Sequence, residues 1–158
     1  MIFIKGDNAM IKEVFKVCDQ MMKSCDIDHN ELQAQDINSD FFDDYTNTRL
    51  VNSFLFNFAK LQDKIGAKLF RQVLYDLKEI DNPNLSMIDI LNLLEKLEII
   101  EDVKDWDSLR AIRNALAHEY PFDIDERITN IEIAIDRYLI LKKIYQGVVS
   151  FYYSKVTT

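Results

Sequence analysis

The chain has 158 residues, of which 48% are hydrophobic and 29% charged, a balance that is ordinary for globular proteins and argues against intrinsic disorder. Its formal net charge of −8 is opposite in sign to that of most nucleic-acid-binding proteins, so any contact with RNA would depend on a local basic site. No apolar run approaches the roughly 20 residues of a membrane span, and the first residues do not resemble a signal peptide, so we expect one cytoplasmic domain over residues 1–158.

Hydrophobic residues at three- and four-residue steps predict a first helix over residues 10–25. The acidic, polar stretch over residues 26–48 is expected to form a long loop or a short irregular helix, with His29 exposed on its surface. This stretch begins like a calcium-binding loop. However, Glu31 stands where the turn glycine is required and Ile37 where the closing glutamate is required, so we predict no calcium site.

The second predicted helix is the longest, with apolar positions in regular steps over residues 50–77. Gly66 within it indicates either a close helix–helix contact or a small local cost in stability. Ser86, followed by Asp89, resembles a capping box that opens a third helix. The two cysteines, Cys18 and Cys25, are about 10 Å apart along one helix, too far for a disulfide, and are interpreted as small apolar residues.

A fourth helix is predicted to begin near residues 102–105 and to end before Pro121, and Asp123 is predicted to cap a fifth. Four tyrosines fall on helical periods and are expected in the core or in a dimer interface: Tyr75, Tyr138, Tyr145 and Tyr152. The predicted fold is therefore all-α, an up-and-down bundle of about five helices. No metal-ligand cluster or cofactor motif is recognised, so neither a metal nor a cofactor is predicted.

The fourth helix carries an unusual polar run, "RNALAHEYP", over residues 113–121. On a helical wheel, one side holds Arg110, Arg113, Asn114 and His118, and the other holds Leu109, Ile112, Ala115 and Leu116. The apolar side is predicted to face the core. Two neighbouring guanidinium groups suit a bound phosphate, and a histidine in the last helical turn is favoured as imidazolium. Trp106 lies beside Arg113 on the wheel and is expected to pack rather than to bind a base.

The motif "RNALAHEY" resembles the R-x4-6-H motif of the HEPN superfamily, and the chain is similar to the HepT-type toxins from about residue 49 to residue 153. The resemblance implies a metal-independent endoribonuclease that acts on RNA as a homodimer with a composite active site. Arg113, Asn114 and His118 would be catalytic, and Arg110 would extend the phosphate-binding strip. It also implies an antitoxin partner, a minimal nucleotidyltransferase of the MNT type, which silences the toxin by attaching AMP to Tyr120.

Two alternatives remain open at the level of sequence. One is a catalytically silent HEPN subunit that associates with a minimal nucleotidyltransferase and regulates it. The other is a purely structural bundle in which the motif is accidental, because an arginine and a histidine five residues apart occur by chance in many chains.

The spacing of the motif predicts a two-fold dimer with the two motif helices near the axis. Arg113 and His118 are about 140° apart on one helix, so a single copy holds them poorly around one phosphate, whereas two facing copies converge on one cleft. Light scattering at micromolar concentration is expected to give the mass of a dimer. A monomeric mass together with intact activity would contradict this prediction.

Overall fold

The structure, a computed structural model, describes residues 9–116 and 123–156. These residues form helices and turns, and they contain no β-strand. The helices are α1 (Ala9–Gln33), α2 (Tyr45–Lys64), α3 (Phe70–Asp76), α4 (Met87–Lys96), α5 (Val103–Leu116) and α6 (Ile124–Lys155), with a 3₁₀ turn at Phe41–Asp43 and a π-helical turn at Ile65–Leu69. The all-α prediction is confirmed.

The second predicted helix is one continuous rod. α2 runs through the π-helical turn directly into α3, and the backbone N–H of Phe70 donates to the carbonyl of Ile65 across that turn. With α1, α4, α5 and α6, this rod gives the five helical segments that the periodicity predicts. None of the described helices combines the length and the hydropathy that crossing a bilayer requires.

Polar side chains fix where three of these helices begin. Asp44 accepts a hydrogen bond from the backbone N–H of Thr46 at the start of α2. The predicted caps are also present, because the Ser86 hydroxyl accepts from Asp89 N–H and the Asp123 carboxylate accepts from Asp125 N–H. Each cap satisfies a backbone donor that the first turn of a helix leaves without a partner.

α1 is longer than predicted, and His29 is not a surface residue. The helix extends to Gln33, so the first third of the acidic stretch is helical, and only 3% of His29 is exposed. Its Nε2 donates to the Ile135 carbonyl at 2.9 Å, and its ring lies 4.9 Å from that of Tyr138. The predicted end of the first helix and the predicted exposure of His29 were wrong for the same reason. His29 continues the three- and four-residue spacing of buried positions on α1, as an aromatic member of the core with one satisfied polar atom.

A series of tyrosine–aspartate hydrogen bonds ties α6 to its neighbours. Tyr138, Tyr145 and Tyr152 are buried at intervals of seven residues, as predicted. Their hydroxyls donate to Asp26 at 2.7 Å and to Asp19 at 2.5 Å, both on α1, and to Asp76 of α3 at 2.8 Å. The pairing order makes α1 and α6 antiparallel. Tyr75 is not in the core, because half of its surface is exposed, so a place in a dimer interface stays a prediction for this residue.

Both cysteines are free and buried on the core side of α1. Burial raises the pKa of the Cys18 and Cys25 thiols to about 12. Because the thiolate is the reactive form, these side chains act as small apolar residues, as predicted.

Gly66 forms a close contact between the long rod and α5. Trp106 is 1% exposed and lies against this glycine, so that a Cβ atom added to Gly66 would be 2.8 Å from Cζ2 of the indole. The indole also packs edge-on against Phe70, with ring centroids 4.7 Å apart. Of the two interpretations of Gly66, the close helix–helix contact is correct, and Trp106 packs as expected.

This contact predicts the sign of a substitution. Gly→Ala inside a helix normally stabilises a protein by roughly 0.5–1 kcal/mol, but at Gly66 the added methyl overlaps the indole. Gly66→Ala is therefore expected to lower the free energy of unfolding in urea by about 1–2 kcal/mol. In a Trp106→Phe background the same substitution should be neutral or stabilising, since Cζ2 is gone. A stabilised single variant would contradict the packing.

Candidate functional site

The polar residues of α5 lie on the wall of a pocket that opens next to the Gly66–Trp106 contact. The pocket has a volume of about 560 Å³ and lies between α2 and α5. It is lined by Gln62, Asp63, Gly66, Ala67, Met87, Trp106, Arg110, Arg113 and Asn114. Arg110, Arg113 and Asn114 follow Trp106 at four-, seven- and eight-residue spacing, which keeps them on the same side of the helix.

Arg113 is held in the pocket by a bidentate ion pair with Asp63. Its Nε donates to one carboxylate oxygen at 2.7 Å, and its Nη2 donates to the other at 2.8 Å. The two side chains are 31% and 42% exposed, so the pair is at the rim of the core. The hydrogen bonds from Arg113 to Asp63, with the attraction between the two charges, raise the pKa of the guanidinium, which remains a cation.

The pair fixes the orientation of the guanidinium without using all of its donors. Asp63 accepts from the Nε–Nη2 edge, and Nη1 takes no part in the pair. A planar guanidinium whose one edge is anchored has few orientations left for the rest of the group. Asp63 is thus placed to position Arg113 for a ligand that approaches Nη1.

Arg110 and Asn114 complete the polar wall. Arg110 donates from Nη2 to Asp107, one turn earlier on α5, at 3.1 Å, and about half of each side chain is exposed. Asn114 is exposed and lines the same pocket. Each arginine therefore faces one aspartate, and these four side chains carry no net charge together.

The side of α5 that faces the core differs from the side that the helical wheel predicts. Leu109 and Trp106 are fully buried, whereas Ile112 is half-buried and Ala115 is exposed. The core direction therefore lies between Leu109 and Trp106, close to the position of Arg113 on the wheel. Trp106 decides which side of α5 faces the core, because its large indole buries more area than the smaller apolar side chains on the other side of the wheel.

The structure brings together three of the five predicted site residues. Arg110, Arg113 and Asn114 line one pocket. His118 and Tyr120 lie outside the described residues, two and four positions beyond Leu116. Within residues 9–116 and 123–156, no group of three His, Cys, Asp or Glu side chains is arranged so that it could hold a metal ion.

Asp63 is the site residue that the sequence reasoning missed. An aspartate in a long amphipathic helix is ordinary on its own. Its position one turn before Gly66 could have indicated its role. A helix that packs closely on the glycine also comes near residues one turn away on the same face of the rod. Trp106 lies at Gly66, and the long side chain of Arg113, two turns later on α5, reaches Asp63.

Comparisons of the chain with protein-family models, with curated proteins and with solved structures find no match.

The Asp63–Arg113 pair is expected to be a measurable but small contribution to stability. For such partly exposed pairs, coupling in a double-mutant cycle is about 0.5–1 kcal/mol. Urea unfolding of Asp63→Ala, Arg113→Ala and the double variant should give that value. The matched cycle at Asp107 and Arg110 should give less than about 0.5 kcal/mol, since that pair makes a single hydrogen bond. Equal couplings in the two cycles would show that Asp63 does not anchor Arg113.

Proposed function

We propose that this chain is a HEPN-type ribonuclease toxin that cleaves RNA as a two-fold dimer without a metal ion. The observation that carries the proposal is the convergence of Arg110, Arg113 and Asn114 on one pocket, with Arg113 anchored by Asp63. Arg113 and Asn114 belong to the motif that resembles the HEPN superfamily, Arg110 lies one turn before it, and His118 follows Arg113 by five positions.

The residues of the motif suffice for RNA cleavage because RNA carries its own nucleophile. A base removes the proton of the 2′-hydroxyl, the 2′-oxygen attacks phosphorus, and the bond from phosphorus to the 5′-oxygen breaks. An acid gives a proton to that leaving oxygen, which yields a 2′,3′-cyclic phosphate and a 5′-hydroxyl. The chemistry needs a proton acceptor, a proton donor and positive charge beside the phosphorane.

In a dimer, the two copies supply these groups together. One His118 acts as base and the other as acid, while Arg113 donates to the phosphate oxygens and Asn114 orients the sugar or an imidazole. Arg110 extends the phosphate-binding strip. The ion pairs of the free protein do not prevent this role, because exposed pairs are worth only about 0–1 kcal/mol and a phosphate can replace or join the carboxylate.

The proposed partner is an MNT-type nucleotidyltransferase antitoxin. It would transfer AMP from ATP to the Tyr120 hydroxyl, forming a phosphodiester with the phenolic oxygen and releasing pyrophosphate. The added phosphate would pair with the arginines that the RNA needs, and the adenine would occupy the space of the substrate.

A second candidate function is a non-catalytic HEPN subunit that binds and regulates a minimal nucleotidyltransferase. The observation that favours it is the charge balance of the pocket, where Asp63 and Asp107 offset Arg113 and Arg110. A surface without net positive charge suits a protein partner better than a polyanion. The two candidates differ in whether the purified chain cleaves RNA.

Cleavage by the purified chain should persist in EDTA and should leave 2′,3′-cyclic phosphate ends, because the transesterification needs no metal. His118→Ala should reduce the rate by at least about 100-fold, the scale of general acid–base catalysis. Product ends are identified by mass spectrometry, and circular dichroism checks the fold of the variant. Activity that EDTA abolishes and a divalent ion restores would rule out this mechanism. Absence of cleavage with retained binding to a nucleotidyltransferase would favour the regulatory subunit.

Tyr120→Phe should leave the nuclease active but insensitive to an MNT-type nucleotidyltransferase with ATP, because the acceptor hydroxyl is gone. Intact-mass spectrometry should show the addition of AMP to the wild-type chain and none to the variant. Tyr45→Phe is the matched control, since Tyr45 is a highly exposed tyrosine on another helix and should not affect silencing. A Tyr120→Phe chain that still gains AMP and is still silenced would show that Tyr120 is not the switch.

A further inference from the structure

A basic groove lies at the surface of α1, outside the proposed active site. It has a volume of about 340 Å³ and is bordered by α1 and by the end of α6. Its walls include Lys12, Lys16 and Lys23, with Tyr153 of α6 on the other side. This lysine groove contrasts with the overall net charge of −8.

The three lysines are on one face of α1, and all are exposed. They are separated by four and seven residues, which are spacings that align side chains along a helix. Lys12 and Lys16, four residues apart, are like charges that repel each other slightly on a helix. The acidic side chain in the lining, Asp19, accepts the hydrogen bond from the Tyr145 hydroxyl, which directs it toward α6.

Tyr153 gives the lysine groove an aromatic wall. Its ring stacks on Phe15 with centroids 5.7 Å apart, and 55% of its surface is nevertheless exposed. A ring that is supported from behind and open to solvent is suited to stacking on a nucleic-acid base. Ammonium groups in a row beside such a ring are the combination that binds the backbone and bases of a single strand.

We infer that the lysine groove is a second RNA-binding surface, which holds phosphates of the substrate strand away from the cleavage site. The inference rests on the proposed function for the identity of the ligand, and on the three lysines and Tyr153 for the site. The pocket at Arg113 has no net positive charge with which to attract RNA. In this inference the electrostatic attraction for RNA comes mainly from the lysines of α1.

The test measures binding separately from cleavage. A fluorescein-labelled 2′-O-methyl oligonucleotide, which lacks the attacking hydroxyl, is titrated with the full chain and followed by anisotropy. Lys12→Gln/Lys16→Gln/Lys23→Gln should weaken binding by at least about 10-fold and reduce the slope of log K against log salt by about 2, since single-strand contacts contribute roughly 0.7 each. Tyr153→Ala should weaken binding without changing that slope.

The matched control removes three exposed lysines from other helices and turns, Lys78, Lys96 and Lys104, with the same change in net charge. It should bind like the wild type. Equal weakening in both triple variants, or no weakening in the first, would overturn the inference. Lysine-dependent binding of free ATP as tight as that of the oligonucleotide would also overturn it, because the groove would then be a mononucleotide site.

The outcomes also separate this inference from the proposed function. If the wild type cleaves no RNA but lysine-dependent binding of the oligonucleotide remains, the nuclease proposal fails and the lysine groove stands. If the wild type cleaves and the lysine variant both binds and cleaves like it, the lysine groove fails and the nuclease proposal stands.

Discussion

The position of the candidate site depends on the contact between Gly66 and Trp106. With any side chain at position 66, the indole would have to move out, because a Cβ would lie 2.8 Å from Cζ2. The glycine lies in the π-helical turn Ile65–Leu69, where the long rod is locally wider than an α-helix. α5 therefore crosses the rod at one register, with Trp106 at Gly66 and Arg113 at Asp63. The ion pair and the pocket follow from that register.

A second set of polar contacts fixes how α6 packs on α1. The hydroxyls of Tyr138 and Tyr145 connect α6 to α1 through Asp26 and Asp19, and Lys142 adds a second contact to Asp26 at 2.9 Å. Such hydrogen bonds do not add much stability, since each replaces bonds to water. They specify the register of two long helices, because a shift by one turn would leave buried hydroxyls without acceptors.

Most of the helical architecture could be predicted from the sequence, because apolar spacing and polar caps are local properties. The helix starts at Ser86 and Asp123 are examples, since both caps are where the pattern predicts them. The end of α1 was misjudged because His29 was treated as polar, although it occupies a core position in the apolar spacing. The imidazole can be buried at that position because its Nε2 has a hydrogen-bond partner, the Ile135 carbonyl.

The candidate site was predictable only in part, because its geometry depends on contacts between distant segments. Arg113 and Asn114 were recognised from the motif and Arg110 from the helical wheel, and their common pocket agrees with their spacing on α5. Asp63 is 50 residues away from its partner, and no local pattern connects the two. The roles of His118 and Tyr120 stay predictions that follow from the resemblance to the HEPN superfamily.

The single-turnover rate of RNA cleavage by Arg113→Lys shows whether the anchored guanidinium takes part in the proposed reaction. Lysine keeps the positive charge but cannot hold the Asp63 carboxylate and a phosphate with one planar group. We expect a folded dimer whose cleavage rate falls by at least about 100-fold, the scale of losing one donor to the developing oxyanion. An Arg113→Lys chain that cleaves RNA at the wild-type rate would contradict the claim that this anchored guanidinium serves catalysis.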